Sequence, residues 1–156
     1  MNNKDEILEE LHKQFDKIKK ELDFKSSFDE INEIFFIEDM ALKQNYVSNQ
    51  FSRQLCSRIV EMYNSWLEYF HGLIMPMPGN IIIMMESNIL NDSEKKEINE
   101  IIKKIVAITS TNALLVLTKD KKEEAKFIDD SANIWSKDIK PKITPIIRKI
   151  NSEWKK

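Results

Sequence analysis

The sequence predicts an all-α protein, a bundle of about five to seven helices forming a single helical domain over residues 1–156. Three observations carry that expectation. The 156-residue chain holds only two glycines and four prolines, too few turn residues for a β-rich fold. Its apolar side chains recur at spacings of three and four over most of the length, the period of a helix with one buried face. The apolar fraction of 42% and the charged fraction of 32% suit a chain that buries a core and solvates its surface, whereas a disordered chain is poorer in apolar residues.

The first helix is predicted from about Lys4 to Leu22. Ile7, Leu8, Leu11, Phe15, Ile18 and Leu22 share one stripe, and the remaining surface is Lys, Glu and Asp. Ser27 and Glu30 stand at capping-box spacing and open the next helical stretch. From there to Leu73 the chain has no proline and Gly72 as its one glycine, while Phe51, Leu55, Ile59, Met62, Trp66, Phe70 and Leu73 line a second stripe. This stretch reads as one very long helix, or as two with a break near residues 45–49.

Met75-Pro76-Met77-Pro78-Gly79-Asn80 is the strongest punctuation in the chain, because two prolines and a glycine do not continue a helix. The break at 76–79 separates an N-terminal from a C-terminal half. The following run, residues 81–85, is short and rich in β-branched side chains, so it fits either a buried strand or the start of a helix reaching Leu90. Residues 91–94 offer several N-caps for a helix carrying Ile98, Ile101, Ile102, Ile105 and Ile108, and residues 113–117 continue that helix or form a second strand. The alternative fold is therefore α+β with one small β-α-β unit at 81–118. Two parallel strands alone make a marginal sheet, so the all-helical reading leads. Asp120 is placed to cap a helix bearing Phe127, Ile128, Ala132, Trp135 and Ile139, ended by Lys140-Pro141. A last helix carries Ile143, Ile146, Ile147, Ile150 and Trp154, with Pro145 near its start, and Trp154 is a candidate anchor.

Composition narrows the function as well. A net charge of −2 lacks the basic excess of a dedicated nucleic-acid binder. The single cysteine, Cys56, makes neither an internal disulfide nor a thiolate zinc site. The N-terminal residues are too charged for a signal peptide, and no uninterrupted apolar run approaches the length of a membrane span. The expectation is a cytoplasmic protein without a membrane partner. Two glycines build no phosphate-binding loop; no catalytic constellation stands out, and no cofactor is implied.

Two Glu-x-x-His pairs, Glu9 with His12 and Glu68 with His71, have the spacing that builds di-metal sites in helical bundles. Helical geometry turns both pairs away from the apolar stripes, so no metal site is expected and Glu68 and His71 stay weak candidates. Glu30 and Glu33 match the first half of the carboxylate pattern of MazG-type nucleotide pyrophosphohydrolases. The Glu-x-x-Asp second half is missing downstream.

Surface chemistry offers more. From Leu73 to Met85 the chain carries no charge and four methionines, and Met adapts to irregular apolar partners. Leu73, Ile74, Met75, Met77, Ile81 and Met85 are the candidate interface residues. The last twenty residues hold seven bases against two acids, which makes Lys140, Lys142, Arg148, Lys149, Lys155 and Lys156 a candidate basic surface. The leading expectation is a non-enzymatic helical protein acting through protein contacts, as a homo-oligomer or an accessory subunit of a complex. A nucleic-acid-associated subunit using the basic C-terminal helix and a small helical metal-dependent enzyme are the alternatives.

Overall fold

The structure, a computed structural model, describes residues 2–156. Among these residues the regular structure is helical throughout, in eight α-helices and one π-helical segment, and no strand is present. The all-α, multi-helix expectation holds.

Helix α1 (Asn3–Leu22) starts where the Asn2 side chain accepts the Asp5 N–H at 3.1 Å, and ends where Asp23 turns left-handed at φ 58°. The loop that follows is fastened to the far half of the chain. The Asp129 carboxylate accepts the Lys25 N–H at 2.8 Å, the Ser26 N–H at 2.8 Å and the Ser26 hydroxyl at 2.7 Å, so backbone donors with no helical partner are satisfied. Ser27 and Glu30 form the expected capping box and open α2 (Phe28–Phe35).

The stretch from 28 to 74 is three helices rather than one or two. Phe36, at φ 52°, breaks the chain between α2 and α3 (Ile37–Gln44). Phe35 and Ile37 are both fully buried. In one continuous helix they would point about 160° apart, so the kink brings both inward and leaves Phe36 outside. The Asn32 side chain accepts the Glu38 N–H at 3.0 Å and stabilises the restart. Asn45, also left-handed, ends α3.

Helix α4 (Phe51–Ile74) is the centre of the molecule, burying Phe51, Leu55, Cys56, Ile59, Tyr63, Phe70 and Leu73. Helix α6 (Asp92–Thr118) lies antiparallel along it, with α1, α2, α3 and α7 around the remaining sides. The strand alternative fails at both candidate runs. Residues 81–85 belong to α5 (Ile81–Ile89), capped by the Asn80 side chain and pinned to α4 by a 2.7 Å hydrogen bond from the Ser87 hydroxyl to the Leu73 carbonyl. Residues 113–117 are the last turns of α6, which starts from an Asn91–Glu94 capping box. Both runs satisfy their backbone groups within a helix and need no sheet partner.

After the left-handed Lys119, Asp120 caps α7 (Lys121–Asn133). The helix does not stop at Pro141 as expected. It widens into a π-helical segment (Ile134–Ile139) and runs on as α8 (Lys140–Trp154), with Pro145 inside that helix. Two features explain the widening. Trp135, Ile139 and Ile143 are spaced by four, and each such step overshoots an α-turn by about 40°; a wider i→i+5 turn keeps them aligned. Pro141 also has no N–H to give the turn before it. The Lys140 N–H closes the wide turn on the Trp135 carbonyl. Side chains from all the helices join one apolar core.

Tyr63 docks this long rod onto α4. Its phenol is buried and donates to the Ser131 carbonyl at 2.5 Å. Burial pushes its pKa upward. An unfolded tyrosine ionises near pH 10 while the folded one stays protonated, so the stabilisation is complete below about pH 10 and is lost as pH rises beyond it. Tyr63→Phe is expected to cost about 1 kcal/mol in urea unfolding at neutral pH and to flatten the loss of stability above pH 10. An unchanged urea midpoint and alkaline profile would remove this role from Tyr63.

Candidate functional site

Exposed apolar side chains gather where α4 hands over to α5. The turn between them uses Gly79 at φ 96°, a conformation glycine adopts without strain. Gly72 has a different task. A Cβ placed on it would stand 3.0 Å from Ile83 Cγ1, so the missing side chain is what lets α5 lie close against α4. Ile83 and Ile89 turn inward, while Ile81, Ile82, Met84 and Met85 on the other faces of this short helix stay exposed.

Met75, Met77, Ile81, Ile82, Met84 and Met85 stand between 41% and 73% exposed. Met75, Met77, Ile81 and Ile82 line an open groove of about 1050 Å³ whose walls also include Glu68, Tyr69, His71, Gly72 and Ile83. Glu86 fixes the frame around it. Its carboxylate accepts the Tyr69 hydroxyl at 3.0 Å and the Trp154 indole N–H at 3.0 Å, tying α5 to α4 and to the end of α8. Trp154 is thus an anchor on the surface, 47% exposed, rather than a core residue.

Of the six expected interface residues, Met75, Met77, Ile81 and Met85 are exposed and Ile74 is half-buried. Leu73 is a correction. It has no exposed surface and packs in the core with Phe70, because it lies on the inner stripe of α4. Ile82 and Met84 belong to the surface and were missed. The available signal was the run itself, since five consecutive apolar residues cannot all face one side of a helix.

The basic residues of α8 are less free than the sequence suggests. Lys149 bonds Glu94 at 2.9 Å, Lys142 lies 3.5 Å from Glu97 and Lys156 lies 2.6 Å from Glu153. Lys140, Arg148 and Lys155 have no carboxylate partner among the described residues. Burial works to raise the Glu94 carboxyl, but the Lys149 ammonium and the Asn91 N–H hold it below the usual range.

Glu68 and His71 stand exposed on α4 beside the groove. His12 stacks on Phe28 with ring centroids 3.9 Å apart. Among the described residues no group of three or more His, Cys, Asp or Glu side chains gathers as metal ligands do. Cys56 is fully buried, and burial together with the nearby Glu124 pushes its thiol up to about 12.

A second apolar surface lies on the distal half of α6. Residues 105–118 carry no charge, and Val106, Leu114, Val116 and Leu117 are exposed. By length and composition α6 is the one described helix that could cross a membrane, with 22% of its most apolar window buried. No family model, curated protein or solved structure matches the chain.

The geometry makes Cys56 chemically silent, since only the thiolate is a nucleophile. Ellman's reagent is expected to leave the native protein unlabelled at pH 8 and to label one thiol per chain in guanidinium. Fast labelling of the native protein would show that Cys56 is reachable and would overturn this.

Proposed function

We propose that this protein works through protein contacts, and that the groove between α4 and α5 seats a second copy of the chain. The observation that carries the reading is the cluster of six large apolar side chains between Met75 and Met85, each at least 41% exposed on a segment that itself carries no charge. Isolated exposed apolar residues are ordinary, but a contiguous cluster marks an interaction site. Burying one such side chain is worth roughly 1.5–3 kcal/mol. Six together reach the range of about 4–15 kcal/mol that association costs in lost freedom.

The form of the surface favours self-pairing. Groove and apolar rim lie side by side on the same face, so a two-fold arrangement places the Met77 rim of each copy in the groove of the other. Residues 73–85 carry no charge, so the like charge that identical surfaces bring together is limited to Glu68 on the groove wall. Methionine's flexible thioether suits such a joint. The nucleic-acid alternative draws less support, because acids pair with half of the candidate basic residues. The metal-enzyme alternative has only the Glu68–His71 pair to build on.

A sizing column with light scattering tests the proposal. The wild type is expected to run as a dimer at high micromolar concentration. Met77→Lys places a charge at a position already 73% exposed, so it should shift the protein to monomer with its helical circular dichroism intact. Leu73→Lys should unfold the chain instead. A monomeric wild type, or a Met77→Lys protein of unchanged mass, would refute the self-pairing.

A further inference from the structure

We propose that a second site, the cleft between the start of α4 and the α6–α7 turn, binds a small phosphate monoester carrying a free hydroxyl. The phosphate would sit on Arg53, Lys119 and Lys121, and the hydroxyl would donate to Glu124. The cleft has a volume of about 470 Å³ and is lined by Gln50, Ser52, Arg53, Lys119, Lys121 and Glu124 among others. That size is ordinary for a small-molecule site.

The first observation is an ion pair that does not close. Glu124 is 6% exposed, yet its Oε2 lies 3.7 Å from Arg53 Nη1, too far for a hydrogen bond. Glu124 Oε1 and Arg53 Nη1 have no hydrogen-bond partner at all. The other arm of the guanidinium is held by Asn112 Oδ1 at 2.9 Å, so Arg53 is positioned without being satisfied. Arg53 is about a third exposed, but a buried carboxylate such as Glu124 left in this condition is costly, and it calls for something that completes it. A ligand reaches both atoms by parting a pair that no hydrogen bond holds shut.

The second observation is the balance of charge around them. Lys119 and Lys121 are exposed and pair with no carboxylate among the described residues. With Arg53 they set three cations against Glu21 and Glu124 on the cleft walls. The N-terminus of α4, a helix of 24 residues, opens here with no side-chain cap and no acid in its first turn; the Gln50 carbonyl takes the Arg53 and Gln54 N–H groups, and the Ser52 N–H is left for an anion. The site therefore favours a negative ligand. Its donors outnumber what the two oxygens of a carboxylate use, and suit the three terminal oxygens of a phosphate monoester. Glu124 then selects against a bare anion beside it and in favour of a ligand that turns a hydroxyl toward it.

Isotope-labelled protein titrated at low salt with glycerol 3-phosphate, ribose 5-phosphate, inorganic phosphate and glycerol provides the test. Both esters should shift the amides of Ser52 and Arg53 saturably, at least about tenfold more tightly than inorganic phosphate, and glycerol should do nothing. Lys119→Gln should weaken ester binding several-fold and Arg53→Gln at least about tenfold, while Glu124→Gln should abolish the preference of ester over inorganic phosphate. Lys137→Gln, on the π-helical segment, should change nothing. Three outcomes would overturn the proposal: no saturable shift up to about 10 mM of either ester, inorganic phosphate bound as tightly as the esters, or equal weakening by Lys137→Gln. If the Arg53 or Glu124 variants fail to fold, the exposed Lys119 decides the matter. Binding should persist in Met77→Lys, so the result stands apart from self-pairing.

Discussion

Tyr63 lies in the middle of α4 with 1% of its surface exposed, and its hydroxyl has to find an acceptor there. A hydrogen bond of this kind contributes only about 1 kcal/mol net, but leaving the group unpaired costs more, so the position of the acceptor constrains everything packed against it. The acceptor is the Ser131 carbonyl, one turn before the helix widens. Trp135 then sits over Tyr63 and Trp66, with centroids 6.2 and 5.4 Å away. The π turn aligns Ile139 and Ile143 behind it, and α8 arrives where Lys149 meets Glu94 and Trp154 meets Glu86. One buried phenol thus fixes the register of the whole C-terminal rod.

The same arrangement explains why apolar surface is left over. Helix α4 packs against α6 along its length and against α1, α2, α3 and α7 on other sides, with an exposed stripe at Glu61, Ser65 and Glu68. Helix α5 therefore meets α4 along one narrow face, through Ile83 near Gly72, the Tyr69–Glu86 hydrogen bond and the Ser87 bond to Leu73. A nine-residue helix held by one narrow face cannot bury a run of five apolar residues. The exposed cluster follows from a crowded centre and from a chain that returns across it too soon.

What the sequence made legible was local. The capping residues at Ser27, Asn91 and Asp120, the break at Pro76–Gly79 and the stripe on α1 all rest on spacing within a few residues, and all stand in the structure. The kink at Phe36 was not legible, because no glycine or proline marks it. The need to bury both Phe35 and Ile37 produces it. Leu73 was placed on the interface because composition ran on smoothly from it into the loop, whereas its helix face decides its burial. The basic face of α8 looked free for a related reason: Lys149 and the Glu94 that neutralises it are 55 residues apart. The cleft at Arg53 and Glu124 was beyond reach too, since it joins ends of α4, α6 and α7 that only the packing brings together.

The two surfaces are separated by the helix they share. Arg53 stands in the first turn of α4 and Gly72 in the last, so at 1.5 Å per residue they are about 28 Å apart. That exceeds the screening length of roughly 8 Å at physiological salt, and charge brought into the cleft is not felt directly at the groove. Coupling between them would have to pass through α4 itself, or through α6 lying along it. Both are held by fully buried side chains such as Leu55, Ile59, Ile98 and Ile105. A close-packed interior of this kind resists graded deformation, so a change at one end of α4 is not passed in graded steps to the other.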